Sequence, residues 1–338
     1  MKQRRWFWGL GLLFVVVGML ELSLGPVSIA FVQIPSSLWQ YFHGVHGINA
    51  VVLGDIRLPR LLVAAIVGSG LAVTGTALQA IFRNPMADPA IIGVSSGGAL
   101  GAVAVMEWGD VSAFAWLTPL AAFVAGVLTV ELTYRLATRN GQTSVYSLLL
   151  AGVAINAFCS ALISLILSLS PLQTMQQMLF WLMGGLDGST WSHVWILGVV
   201  VLVSVIAIGF FATELDLISI GEEQAHGVGV HLQRIKRVIL LLSALMVGVC
   251  VSFTGVIGFV GLMVPHVLRM LIGPAHRTLL PAAALGGAIL LMAADLIARM
   301  VFLPIELNVG IVTSALGAPF FLYLLSRQQA DVPRGRRV

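Results

Sequence analysis

Three arginines, Arg57, Arg60 and Arg299, and three carboxylates, Glu21, Glu131 and Asp295, stand inside or at the ends of long apolar runs. An ionised group at membrane depth is expensive unless it is paired or lines a path, so each of these residues is a candidate for function. Arg57 and Arg299 suit an acidic patch on a soluble partner or an anionic substrate, because a guanidinium offers a planar fork to a carboxylate. The plainer role for these arginines, and above all for Arg60, is an interfacial anchor whose charge snorkels to lipid phosphates. Asp295 lies one turn before Arg299, so an i,i+4 ion pair accounts for it. The histidines, His43, His46, His193, His226, His231, His266 and His276, are scattered, with no HExxH or nucleophile pattern. Cys159 and Cys250 sit inside apolar runs in no metal-like spacing and read as small core residues. No catalytic residue, metal or cofactor is expected. The only lysines, Lys2 and Lys236, are outside any GxxxxGK[ST] context, so the chain cannot form a P-loop of its own. If ATP drives it, another polypeptide supplies the ATPase.

The one long polar stretch runs from Glu214 to Arg237. Ser219 to Val230 reads as one or two short helices, with Glu222 and Glu223 in a first turn after Gly221, where negative charge favours the helix N-terminus. Gly227 and Gly229 break the run, and Arg234, Lys236 and Arg237 lead directly into the next apolar segment. A rigid polar insert on one membrane face is a handle for a soluble partner; the alternative is a merely solvated loop.

The elements that must position these residues are membrane spans. Of 338 residues, 59% are hydrophobic and 9% charged, against roughly 25% charged in a soluble domain. The chain is expected to be an all-α polytopic membrane protein of about ten spans. Its net charge of +4 is a matter of loop placement and does not point to nucleic acid. The basic, apolar N-terminus lacks a small-residue cleavage site and reads as an uncleaved first span, about Trp6 to Val27. A polar, amphipathic stretch from Gln33 to Asp55 follows, and span two starts at the Arg57-Leu58-Pro59-Arg60 corner and ends near Phe82. Pro85 and Pro89 make a turn before span three, about Ile91 to Met106, whose GVSSGG start reads as helix-packing glycines and serines rather than a phosphate cradle. Spans four, about Ala115 to Leu136, and five, about Val145 to Leu167, flank a polar loop from Ala137 to Ser144. An outer amphipathic segment follows Ser170, and span six covers about Val194 to Ala212. Val238 to Pro265 is too long for one crossing and is expected to break at Gly255, Gly258 and Gly261, giving span seven, about Val238 to Val251, and span eight, about Val256 to Leu271. Spans nine and ten cover about Leu279 to Ala298 and Val309 to Leu325. With both termini inside, 15 of the 18 basic residues fall on the inner face and only Arg57, Arg60 and Arg299 outside, as the positive-inside bias requires.

Several segments in this order resemble the FecCD family of permeases, the membrane subunits of bacterial ABC importers for iron-siderophores, haem and cobalamin. They are RLPR (Arg57 to Arg60), GTALQAIFRNPMADPAIIGVSSGG (Gly75 to Gly98), LLLAGVAI (Leu148 to Ile155), WLMGGL (Trp181 to Leu186) and SIGEEQAHGVGV (Ser219 to Val230). GVIGFVGLMVPHVLR (Gly255 to Arg269), AADLIAR (Ala293 to Arg299) and ELNVGIVTSALGAPFF (Glu306 to Phe321) complete the set. The resemblance implies a type II ABC importer permease of about ten helices, one permease domain over residues 1–338, in the inner membrane. It implies a homodimer with two copies of a cytoplasmic ABC ATPase below and a periplasmic substrate-binding protein above. Residues 214–237 would be the coupling segment, with Ser219, Gly221, Glu222, Glu223, Ala225, Gly227 and Gly229 seating in the ATPase, while Arg57 and Arg299 would dock the binding protein. Asn308 departs from the family's usual proline in an ELPxG pattern. The alternative function is an ion-coupled secondary transporter, which would need paired carboxylates at midplane.

Overall fold

In a computed structural model, residues 2–45, 47–110 and 116–330 are described. His46, Ala115 at the expected start of span four, and Arg334, Arg336 and Arg337 lie outside them. The helices in order are α1 (Lys2–Ser23), α2 (Gln33–Phe42), α3 (Ile48–Val51), α4 (Leu58–Ile81), α5 (Val94–Trp108), α6 (Leu117–Ala137), α7 (Val145–Leu169) and α8 (Leu172–Leu182). They continue with α9 (Trp191–Gly209), α10 (Ala212–Ile220), α11 (Glu222–Gly227), α12 (Leu232–Thr254), α13 (Val260–Ile272), α14 (His276–Met300) and α15 (Val309–Ala330). Among the described residues, seven stretches are long and apolar enough to cross a membrane: the Arg4–Ser23 part of α1, Ile48–Ile81, and all of α6, α7, α9, α12 and α14. Helices α5, α13 and α15 complete the expected ten, but α13 has 13 residues and reaches only about 20 Å. The count of ten crossings is thus approximate.

The break between α12 and α13 is where the glycines placed it. Gly255 and Phe259 both have positive φ, and Gly255 to Phe259 forms the non-helical link. Irregular backbone between spans has to be wrapped by protein, and it is: the Gly185 N–H donates to the adjoining Thr254 carbonyl at 2.8 Å, and a Cβ built on Gly184 or Gly310 would crowd the Val256 carbonyl.

Span two differs from expectation. There is no corner at Arg57: helix runs without interruption from Ile48, through a π-helical turn over Val52–Arg57, into α4. Pro59 cannot donate to the carbonyl four residues earlier, and the widened turn just before it absorbs the missing bond without ending the helix. The polar loop after α6 is also more ordered than expected. It is a two-stranded hairpin, β1 (Thr138–Arg139) and β2 (Gln142–Thr143), turned by Asn140 and Gly141 at positive φ, the usual chemistry of a two-residue hairpin turn.

Helix α4 is the buried axis of the fold, packed by α14, α13, α9 and α12. Its small residues let backbones approach closely. A Cβ built on Gly68 would strike the Gly287 carbonyl of α14, and one on Gly287 would strike the Gly68 carbonyl. Backbone atoms cannot swing aside as a side chain can, so Gly287→Val should sit at or above the upper end of the roughly 1–3 kcal/mol that overpacking costs. Thermal melting in detergent is expected to show a large loss of stability. An unchanged melting temperature would mean that α4 and α14 are not in contact there.

Candidate functional site

Helix α14 joins two polar regions, one at each end of the bundle. At its C-terminal end a charge cluster gathers residues from α1, α4, α14 and two loops. The Arg60 Nε and Nη2 donate to Asp295 at 2.9 to 3.1 Å, and its Nη1 reaches Glu306 at 2.8 Å and Asp187 at 2.9 Å. Arg299 pairs with Asp295 one turn earlier at 3.1 Å and with Glu21 of α1 at 3.2 Å. Arg57 caps the end of α1, donating to the carbonyls of Leu22 and Ser23 at 2.5 and 2.9 Å and to that of Val27. A helix terminus leaves its last carbonyls unsatisfied, and Arg57 supplies the donors they lack.

The arginines expected to offer their charge to a partner or to lipid are themselves buried and already engaged. Arg57 and Arg299 are each 4% exposed and Arg60 8%, and each already has partners within the chain. The i,i+4 pair of Asp295 and Arg299 is present as expected, but Asp295 is also the bidentate partner of Arg60, which makes Arg60 a hub rather than a lipid anchor. Sequence reading could not find this pairing, because 235 residues separate its members. The exposed members of the cluster are acidic: the Asp187 side chain is 59% exposed and that of Glu306 32%. Burial pushes the Asp187 carboxyl above its ordinary value, against the pull of Arg60 and with help from Glu306. Burial also pushes on Glu306, but there the hydrogen bond and charge of Arg60 win and its carboxyl is lowered. On acidification Asp187 is therefore expected to release Arg60 before Glu306 does. A spin label on the loop between α8 and α9 should gain mobility at a higher pH than one on the loop between α14 and α15; simultaneous release would contradict this order.

Asn308 begins the segment leading into α15 and donates from its side chain to the Phe180 carbonyl of α8 at 2.7 Å. A proline there could not make this tie.

At the other end lies the polar segment. Helices α10 and α11 meet at Gly221, and Glu222 and Glu223 occupy the first turn of α11 as expected. Gly227 closes α11, and Gly229 has φ +87°. The segment is fastened from below. Lys236, 1% exposed, places Nζ 2.8 Å from both oxygens of Glu222 and 3.4 Å from the Thr143 carbonyl of the hairpin. Gln233 accepts from the Thr143 N–H at 2.9 Å, and Asp216 of α10 accepts from both the backbone N–H and Nδ1 of His276. Of the seven residues expected to make contact, Gly221 and Ala225 are buried and Glu222 is turned to Lys236; Ser219, Glu223, Gly227 and Gly229 are exposed. Two apolar residues that the sequence reading passed over, Ile220 and Val228, are 68% and 66% exposed beside them.

A profile of the FecCD transport family matches residues 13–327. The chain is 40% identical over 320 residues to the hemin transport system permease protein HmuU of Yersinia pestis, covering 94% of each. It is 44% identical over 282 residues to the cobalamin import system permease protein BtuC of Halobacterium salinarum, covering 83% of this chain and 75% of that protein. Among solved structures, one described as an inward-facing conformation of a metal-chelate type ABC transporter superposes with a TM-score of 0.85 at 31% identity, covering 96% of this chain and 99% of the other.

Proposed function

Because the chain belongs to the FecCD transport family, we propose that it is the permease of an ATP-driven importer, working as a homodimer with two copies of a cytoplasmic ABC ATPase and a periplasmic substrate-binding protein. The proposed cargo class is a large iron chelate, haem or cobalamin-type molecule, in keeping with what the relatives are named for. Both termini and residues 214–237 then face the cytoplasm, and the charge cluster faces the periplasm.

The observation that carries this reading is the polar segment, locked by Lys236 and Glu222 while Ile220, Glu223 and Val228 project outward. On this reading Ile220 and Val228 are the apolar anchors that a bound ATPase would cover. The contact with the ATPase is assigned to Ser219, Glu223, Gly227 and Gly229 together with Ile220 and Val228, with Gly221, Glu222 and Ala225 shaping the segment. Ile220→Glu with Val228→Glu should leave the melting temperature unchanged and cut ATPase binding at least about tenfold, as expected where buried apolar anchors become charged. Unaltered binding would move the contact elsewhere.

The periplasmic partner is proposed to dock over the charge cluster. Arg57 and Arg299 can meet its carboxylates only by exchanging their present partners, so they contribute by holding α1 and α14 in place as well as by charge. An ion-coupled carrier is less well supported, since the buried carboxylates Glu21 and Asp295 sit at helix ends and are held by Arg299.

A further inference from the structure

We infer that the cleft between the ends of α4, α10, α13 and α14 on the polar-segment side is a socket for a carboxylate side chain of the ATPase. This rests on the proposed function and adds a second, electrostatic contact to the apolar one. The cleft has a volume of about 270 Å³ and is lined by Arg83, Arg269, Asn84, Ser219, Gln79 and His276 among others, with no carboxylate among its lining residues. Two guanidiniums thus share one cleft without a counter-charge.

Arg269 is half-buried, and the one hydrogen bond of its guanidinium among the described residues is to the neutral Oε1 of Gln79, at 2.9 Å. Gln79 is itself 3% exposed, and its amide nitrogen lies 3.3 to 3.5 Å from the carbonyls of Ala87, Gly261 and Leu262. That anchorage fixes Oε1 and so aims the guanidinium, leaving its other N–H groups for a ligand. A guanidinium taken partly out of water without an anion is unfavourable, and a preorganised fork is suited to a carboxylate. Asp216, the acid bonded to a residue of the cleft wall, is committed to His276. Arg83 follows α4 at φ +48° with its side chain exposed, and no hydrogen bond or ion pair of that side chain occurs among the described residues. Ser219 makes the cleft continuous with the surface proposed to seat the ATPase, so a protein bound there covers the cleft mouth. This continuity favours a protein carboxylate over a lipid phosphate, although basic pockets at inner helix ends also attract anionic headgroups.

The test uses the full chain in nanodiscs of phosphatidylcholine or of phosphatidylglycerol, and the ABC ATPase that supports its transport, with binding measured at low and high salt. Arg83→Asn keeps a residue that tolerates positive φ, and Arg269→Gln keeps a side chain able to reach Gln79. Expected losses of ATPase affinity are about threefold for exposed Arg83 and at least tenfold for Arg269. The salt dependence of the parent should diminish in both variants, equally in the two lipids. Affinity and salt dependence unchanged in both variants, with the parent binding normally, would overturn the socket alone. A loss confined to phosphatidylglycerol discs would assign the cleft to a lipid headgroup. A parent chain that binds no ATPase in either lipid would remove the proposed function, and the socket with it.

Discussion

Asp295→Ala is expected to be among the most damaging single substitutions in this chain. It removes the bidentate partner of Arg60 and the i,i+4 partner of Arg299 together, in a place where both guanidiniums are buried. Breaking a buried ion pair from one side costs about 3–5 kcal/mol, because the surviving charge is left uncompensated. Arg60 keeps Glu306 and Asp187, and Arg299 keeps Glu21, so the lower end of that range applies. The measurement is thermal unfolding of the purified protein in detergent, with Asp295→Ala/Arg60→Met alongside. The double variant should recover part of the loss, since it removes one of the stranded charges. A single variant as stable as the parent would mean that the cluster is open to water. The same reasoning applies to Arg57→Glu with Arg299→Glu, which sets new carboxylates beside existing acids and should unfold the helix ends that the cluster holds rather than only weaken the proposed docking. The better probes of docking are the exposed members: Asp187→Asn and Glu306→Gln.

Glu222→Arg is the second large effect expected. Lys236 is buried, with Glu222 its only carboxylate partner among the described residues, 2.8 Å from Nζ, so the substitution replaces that partner with a second cation across the base of α11. Glu222 is one-third exposed, and solvent screening brings the expected loss to about 2–3 kcal/mol, less than for a dry pair. Helix α11 should detach from α12, and coupling to the ATPase should fail through lost shape. Limited proteolysis between Gly221 and His231 should accelerate in Glu222→Arg and return toward the parental rate in Glu222→Arg/Lys236→Glu. Parental proteolysis in the single variant would show that the pair does not hold the segment. Gly229→Trp is a poor probe of contact, because φ +87° strains any side chain there.

Most of the fold was legible because apolar run length and glycine and proline breaks are local signals. The link from Gly255 to Phe259 and the acidic start of α11 fell where those signals placed them. The π turn before Pro59 was missed because proline reads as an interruption, and only the structure shows the helix absorbing it. The hairpin at Asn140 and Gly141 carried its Asn-Gly signal, but strands of two residues have no alternation to read. The sites were less legible. Arg60 with Asp295, and Arg269 with Gln79, join residues 235 and 190 positions apart. Nothing in one sequence says which distant group an arginine meets, so Arg57 and Arg60 read as docking or lipid-facing charges when they are buried against partners within the chain.

Under the proposed function this chain moves its cargo only when a separate ATPase and a binding protein act on it. The direct measurement is uptake of labelled haem, cobalamin or ferric siderophore into proteoliposomes holding the chain and the ATPase, with ATP inside and binding protein outside. The expected result is uptake of one such cargo that requires ATPase, ATP and binding protein together and is lost in Ile220→Glu/Val228→Glu. Uptake by the chain alone, driven by a proton or sodium gradient and indifferent to ATP, would contradict it.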